Sequence, residues 1–226
     1  MTDYLALANE LATHIQPGAA ERDARRILPH EQLELIRQSG LGAARVPVEL
    51  GGGDVSQLDV ARIFITLAKA DPSVAQALFP HFATVEHLRL IADADQQRRY
   101  LGAFAERRLS SGAIAERSGK FRGEIHTRLE RDGERLVLNG SKFYSTGCLF
   151  ADLLKIQAVD EAGDAVYVML PADTRASPCS TTGTAWASGS PPAAPPCSRM
   201  CRCCPSRSFP WPRGTSGATI SAPAPS

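Results

Sequence analysis

Leu136-Val137-Leu138-Asn139-Gly140-Ser141-Lys142-Phe143-Tyr144-Ser145-Thr146-Gly147 is the stretch on which the fold turns. Leu136, Val137 and Leu138 are strand formers, and Asn139-Gly140 tolerates the positive φ of a type I′ turn. Lys142 to Thr146 then continue as a second strand, an aromatic pair followed by two hydroxyls. The spacing predicts strand, tight turn, strand. Two uses fit this pattern. One is an ordinary hairpin with a half-buried face. The other is a platform for a flat aromatic cofactor, with aromatic faces over the ring and hydroxyl or backbone N–H groups at its polar edge.

The segments on either side of the hairpin differ in kind. Ser111 to Glu116 reads as a strand, and residues 124–130 alternate Ile125, Thr127 and Leu129 with charged neighbours. Asp132-Gly133 makes a turn, and residues 152–159 and 165–170 form two further strands around Asp160 to Asp164. Upstream the period is helical. Helices are expected over residues 3–16, 21–27, 31–39, from Ser56 to Ala68, from Asp71 to Ala92 with a possible break at Pro80, and over 96–108. Leu58, Ala61, Ile65 and Ala68 keep one face of the fourth helix, with Phe64 and Leu67 beside it, so this helix is expected to be well buried. The loop Leu41 to Gly53 ends in three glycines, which permit unusual backbone angles or close approach. The fold class is therefore α+β. An all-helical domain over residues 1–109 precedes a partial, barrel-like antiparallel β domain over 110–176, cut short near Asp173.

The chain has 226 residues and a net charge of +1. That balance leaves no electrostatic footprint for nucleic acid or an anionic membrane. No secretory start and no apolar run of membrane-spanning length is visible, so a cytoplasmic location is expected. The composition changes after Ala176. From Ser177 to Ser226 there is no Asp, Glu or Lys, while five of the 6 cysteines and ten of the 16 prolines fall there. Composition alone reads residues 177–226 as a disordered tail. Cys197, Cys201, Cys203 and Cys204 lack both a nearby His and paired C-x-x-C spacing, so no metal site is expected.

Helices followed by strands, with four local stretches in order, resemble the N-terminal half of the acyl-CoA dehydrogenase superfamily. Leu35 to Gly53 is similar to its G-L…P…G-G entry loop, and Ala68 to Ser73 to its A-x-x-D-x-S helix junction. Ala113-Ile114-Ala115-Glu116 stands where the family has a T-E-P flavin strand. Asn139 to Gly147 resembles its N-G-x-K-x-W-I-T strand. Lys142-Phe143-Tyr144-Ser145-Thr146-Gly147 with Pro80-His81-Phe82 is closer to the flavin-dependent sulfur-acquisition and dibenzothiophene-type monooxygenases. The resemblance implies FMN or FAD, a separate reductase supplying reduced flavin, O₂, a small organosulfur or related substrate, and a homo-oligomer in the full-length family. Ile114, Ala115 and Glu116 would present backbone to the ring, Ser118 would lie near the ribityl-phosphate path, and Tyr144, Ser145 and Thr146 would line the ring. His81 would face its oxygen-reactive side as the catalytic group, donating a hydrogen bond or moving a proton. The bland reading of His81 is a satisfied structural histidine. Classical acyl-CoA dehydrogenation is the second functional reading, and an inactive fragment the third.

The family's β domain should run past Thr174 into a C-terminal helical bundle, and neither follows. Codons compatible with Ser180 to Gly189, read one base earlier, give Asp-Asp-Trp-Asp-Gly-Met-Gly-Gln-Arg, which resembles the W-D-G-M-G-x-R segment of the same branch. Some shifted residues are forced: Trp186-Ala187 gives Gly, Met200-Cys201 gives Val, and Cys203-Cys204 gives Leu. The tail is thus expected to be an out-of-frame translation without a selected fold.

Overall fold

The computed structural model describes residues 2–116, 123–132 and 135–172, together with the backbone of Thr219–Ser221. The chain divides into two compact units, Met1–Ser110 and Ser111–Ser226.

Caps define the helices of the first unit. Asp3 accepts from the N–H groups of Leu5 and Ala6 and starts α1, Tyr4–Ile15. Short α2, Ala19–Arg25, and α3, His30–Ser39, follow. The glycine-rich segment then contains two 3₁₀ turns, Leu41–Ala43 and Val48–Leu50. Ser56 caps α4, Gln57–Ala70, by accepting from Asp59 N–H. Asp71 caps α5, Pro72–Ile91, where Pro72 gives up only an N–H that has no helical partner. A capping box of Asp93 and Gln96 opens α6, Ala94–Ala105. Asp71 also fastens α2: Arg22 donates to Asp71 Oδ2 from Nε at 3.1 Å and Nη2 at 2.9 Å. The carboxylate's other oxygen holds the N–H groups of Ser73 and Val74. One buried acid therefore serves a helix start and a partly buried guanidinium together.

Two helical expectations are corrected. Pro80 does not interrupt α5. Leu78, His81, Phe82, Val85 and Leu88 are all buried along that helix, and packing outweighs the one lost backbone bond. In α4 the buried residues are Ile63, Leu67 and Ala70, whereas Leu58, Ala61, Ile65 and Ala68 are exposed. The helix carries two apolar faces, and the unit covers the one that holds Leu67, expected only beside the stripe, in place of the stripe itself.

The second unit is a sheet. Its strands are β1 Ser110–Ala113, β2 Arg128–Asp132, β3 Arg135–Asn139, β4 Leu153–Val159, β5 Ala165–Pro171 and β6 Thr219–Ser221. The order is β3-β2-β4-β5-β6, with β1 also on β4. Pairing is antiparallel for β2–β3, β4–β5 and β5–β6, but β2 meets β4 in parallel at Arg128 and Val159, so the sheet is mixed where an antiparallel one was expected. Alternation sends Leu154, Ile156 and Ala158 of β4 and Val166, Val168 and Leu170 of β5 into one core with Ala113, Leu129 and Leu138. Beyond Ala172, the tail lies outside the described residues except for Thr219–Ser221, whose backbone pairs with Val166 to Val168.

The central stretch is built differently from its reading. Asp132 pairs with Arg135, so the register of β2 and β3 closes ahead of Asn139-Gly140, and the expected Asp132-Gly133 turn lies partly outside the described residues. Neither Asn139 nor Gly140 has a positive φ. Gly140 instead passes against Thr127: a Cβ there would stand 2.3 Å from Thr127 Oγ1 and 2.7 Å from its Cα. Glycine is required by contact, not by turn geometry. Lys142 to Thr146 is not a strand either. Phe143 N–H donates to the Ala115 carbonyl at 2.8 Å, Tyr144 takes a left-handed backbone at φ 56°, and the 3₁₀ turn Cys148–Phe150 follows.

Gly140→Ala is expected to destabilise the β unit by roughly 2–3 kcal/mol, because Thr127 backbone must move to admit one methyl group. Denaturant unfolding of the two proteins compares them, and a midpoint equal to that of the parent would contradict the contact.

Candidate functional site

Glu116 is the centre of the polar chemistry in the second unit. Its Oε1 accepts from Lys142 Nζ at 2.6 Å, Thr127 Oγ1 at 2.7 Å and Thr127 N–H at 3.0 Å. Its Oε2 accepts from His126 N–H at 2.7 Å. Lys142 also donates to the Ile114 carbonyl at 3.2 Å and is 1 % exposed. Burial alone would raise the Glu116 carboxyl, but the bonds from Lys142, the Thr127 hydroxyl and the two backbone N–H groups overcome it and hold the group at about 2. Burial draws the Lys142 ammonium below the ordinary lysine range, and the bond to Glu116 opposes that pull.

This pair fixes the 114–116 segment against the 142–146 segment. Ile114 is 39 % exposed, Ala115 is exposed, and Tyr144 is 47 % exposed. Next to Tyr144 lies Ser145, whose Oγ is sealed from solvent and has no hydrogen-bond partner. A buried hydroxyl left unsatisfied is uncommon, and a bulky residue with positive φ beside it is a second departure from relaxed structure. Behind them the loop is firm. Ser111 Oγ donates to the Thr146 carbonyl, and Cys148 Sγ lies 3.5 Å from Ser111 Oγ. The described residues thus present a half-exposed aromatic, apolar and backbone ledge, and one orphan polar atom. That donor set suits a flat ring with a polar edge.

Of the residues singled out from sequence, Ile114, Ala115, Glu116, Tyr144, Ser145 and Thr146 belong to the second unit. Glu116 is there as the carboxylate that anchors the segment, its side chain engaged with Lys142 and Thr127. Ser118 lies outside the described residues. His81 belongs to the helical unit and is buried. Its Nδ1 accepts from Ser110 N–H at 3.1 Å, and its Nε2 lies 2.9 Å from the Gly42 carbonyl. A carbonyl only accepts and a backbone N–H only donates, so the ring is neutral with its proton on Nε2. A Cβ at Gly42 would approach that nitrogen to 3.0 Å, so glycine lets the chain come close enough to bond it. These contacts are those of a structural histidine, and a proton-moving role requires one of them to be released. Sequence reading missed Lys142 and Thr127. The available signal was a lysine inside a stretch expected to be half-buried, with a single glutamate closing the preceding strand.

Residues 6–108 match the family model described as "Acyl-CoA dehydrogenase, N-terminal domain". Isobutyryl-CoA dehydrogenase of Dictyostelium discoideum is 26% identical over 135 residues, 59% of this chain and 32% of that protein. Among solved structures, FMN-bound TdsC from Paenibacillus sp. A11-2 is 25% identical with a TM-score of 0.73, over 81% of this chain and 48% of that one. The methanesulfinate monooxygenase MsuC from Pseudomonas fluorescens, 22% identical, shares the fold at a TM-score of 0.73 over 82% of this chain and 47% of its own. The chain spans about a third of the length of the curated relatives it matches and about half that of these structures.

The Glu116 pair gives a pH signature. A carboxyl held at about 2 in the folded state contributes stability that is complete above its unfolded value and is lost as pH falls towards 2. The loss is roughly 3 kcal/mol at most, between about pH 5 and 2. Glu116→Gln should flatten that part of the profile and lower stability at neutral pH, since Lys142 stays buried without its counter-charge. Urea midpoints measured across this range test it; parallel profiles for the two proteins would refute it.

Proposed function

We infer that this chain belongs to the acyl-CoA dehydrogenase superfamily through its N-terminal domain and is a flavin-dependent oxidoreductase, with monooxygenation of a small organosulfur or related compound as the preferred reaction. The observation that carries the flavin reading is the buried, unpartnered Ser145 hydroxyl beside half-exposed Tyr144 and Ile114. Ser145 would hold the polar edge of FMN or FAD, Tyr144 and Ile114 would cover its face, and backbone of Ala115 and Thr146 would line it. The flavin supplies electron transfer and oxygen chemistry when bound. The chain's own part is placement: Glu116 and Lys142 keep the two segments in register, and the apolar ledge limits water.

The monooxygenase preference is supported by the Lys142-to-Gly147 motif and by the likeness to TdsC, whose structures include one described as dibenzothiophene monooxygenase, 26% identical. Reduced flavin would then come from a separate reductase. The second reading, desaturation of an acyl-CoA, is favoured by the isobutyryl-CoA dehydrogenase relative. The reading further places the protein in the cytoplasm.

Titration with FMN and FAD, followed by flavin fluorescence, is the direct test. Ser145→Ala should weaken binding roughly tenfold, one hydrogen bond's worth, while the thermal midpoint of the free protein rises, because no protein bond is lost and an unsatisfied buried hydroxyl is removed. Protein that binds neither flavin would overturn the reading. Resequencing codons 170–190 is expected to find one further base. In the restored protein, turnover of an acyl-CoA with a dye acceptor, and none of a sulfone with reduced flavin, would reverse the order of the two reactions.

A further inference from the structure

Two bonds bracket Tyr144 and Ser145 in the second unit. At one end Phe143 N–H donates to the Ala115 carbonyl at 2.8 Å. At the other the Ser111 hydroxyl, from β1, donates to the Thr146 carbonyl. Inside the bracket Thr146 N–H donates to the Tyr144 carbonyl at 2.9 Å, and Cys148 N–H to the Ser145 carbonyl at 3.2 Å. Thr146 is therefore held at both of its polar backbone groups, and the chain leaving Ser145 has little freedom to turn. Ser145 Oγ, enclosed by these bonds, has no partner. Behind the bracket lie two buried side chains, Ser111 at 0 % and Cys148 at 3 % exposed. The Ser111 hydroxyl has one proton and gives it to Thr146, so towards Cys148 its oxygen can only accept. Cys148 Sγ stands 3.5 Å from that oxygen, with the Gly112 carbonyl, 3.8 Å away, as its other acceptor. The donors thus run in one direction, thiol to hydroxyl and hydroxyl to carbonyl, and each bond polarises the next.

We propose that Ser111 is a positioning residue for the flavin: by holding the Thr146 carbonyl it aims the Ser145 hydroxyl, and Cys148 steadies Ser111 from behind. The proposal rests on the flavin reading of Ser145. Ser111 itself does not touch the ligand. Its effect passes through the Thr146 backbone to the one side chain whose hydrogen bond is still to be made. Without the Ser111 hydroxyl the Thr146 carbonyl loses its donor, and its peptide turns to find another, carrying Ser145 with it. A hydroxyl that samples several directions binds the same ring edge more weakly, because binding must then order it. The Glu116–Lys142 pair does not replace this bond, since it holds residue 116 against residue 142, at the far end of the bracket.

A double-mutant cycle on the full chain tests it, with FMN and FAD affinity read by fluorescence and by the visible absorption band of the bound flavin. Ser111→Ala alone should weaken binding roughly three- to tenfold and move the bound flavin's band back towards that of free flavin. In a Ser145→Ala background the same substitution should change affinity by less than about twofold, since no hydroxyl is left to aim. A merely structural Ser111 would weaken both backgrounds equally, so equal losses overturn the proposal. Ser111→Ala that binds as tightly as the parent does so too. Ser111→Cys, close in volume and a weaker donor, should fall between serine and alanine. If Ser111→Ala does not fold, this variant takes its place in the cycle. A parent that binds neither flavin overturns the flavin reading and the proposal with it, whereas a parent that binds and gives an additive cycle removes only the role of Ser111.

Discussion

Four donors converge on the Glu116 carboxylate, and the β unit is arranged so that they can. Lys142, the Thr127 hydroxyl and the N–H groups of His126 and Thr127 come from segments far apart in sequence. Burying an ion pair costs more than attraction alone returns unless the remaining lone pairs and protons are satisfied. Here the carboxylate accepts from four donors and the Lys142 ammonium donates to two acceptors, so a shifted register of residues 114–116, 126–127 and 142–143 would strand a charge. Gly140 must pass Thr127 without a side chain for that register to exist, and Phe143 must reach the Ala115 carbonyl. The pair thereby sets which alignment is possible more than how deep the minimum is.

The helical unit solves a similar problem with Asp71. One oxygen caps α5 and the other binds Arg22, which itself donates to the carbonyls of Ile15 and Pro17. His81 joins α5 to the Leu41–Ala43 turn and to Ser110 by accepting one bond and donating another. A neutral imidazole is suited to this because it offers one donor and one acceptor in fixed directions.

Local signals were legible where local chemistry decides. Ser56, Asp71 and Asp93 mark helix starts because a short side chain accepting from the next turn works the same way in any context. The strands at 153–159 and 165–171 follow from β-branched alternation around a polar turn. Asn139-Gly140 misled because glycine has two reasons to be required, positive φ and close approach, and only the fold distinguishes them. The exposed face of α4 misled because either of its two apolar stripes satisfies helical periodicity, and tertiary packing picks one. Tyr144 and Ser145 were singled out through motif and family likeness alone, while Lys142, whose ion pair with Glu116 is buried, was passed over because a charged residue in a short stretch reads by default as solvated.

Two departures from relaxed structure in the β unit fall on adjacent residues. An unsatisfied buried hydroxyl costs on the order of 1–3 kcal/mol, and a left-handed non-glycine residue about 1–2 kcal/mol more. Ser145 and Tyr144 carry these costs side by side, two residues beyond the most completely satisfied charge pair in the unit. Both costs are avoidable in principle, since a serine turned outward would relieve the first and a glycine at 144 the second. Strain persists only where surrounding contacts over-determine the backbone, and Glu116, Ser111 and the Phe143–Ala115 bond do so here. A polar atom that is held rigid and left unpaired is already positioned for a partner from outside the chain, and ligand binding then need not include the cost of ordering it.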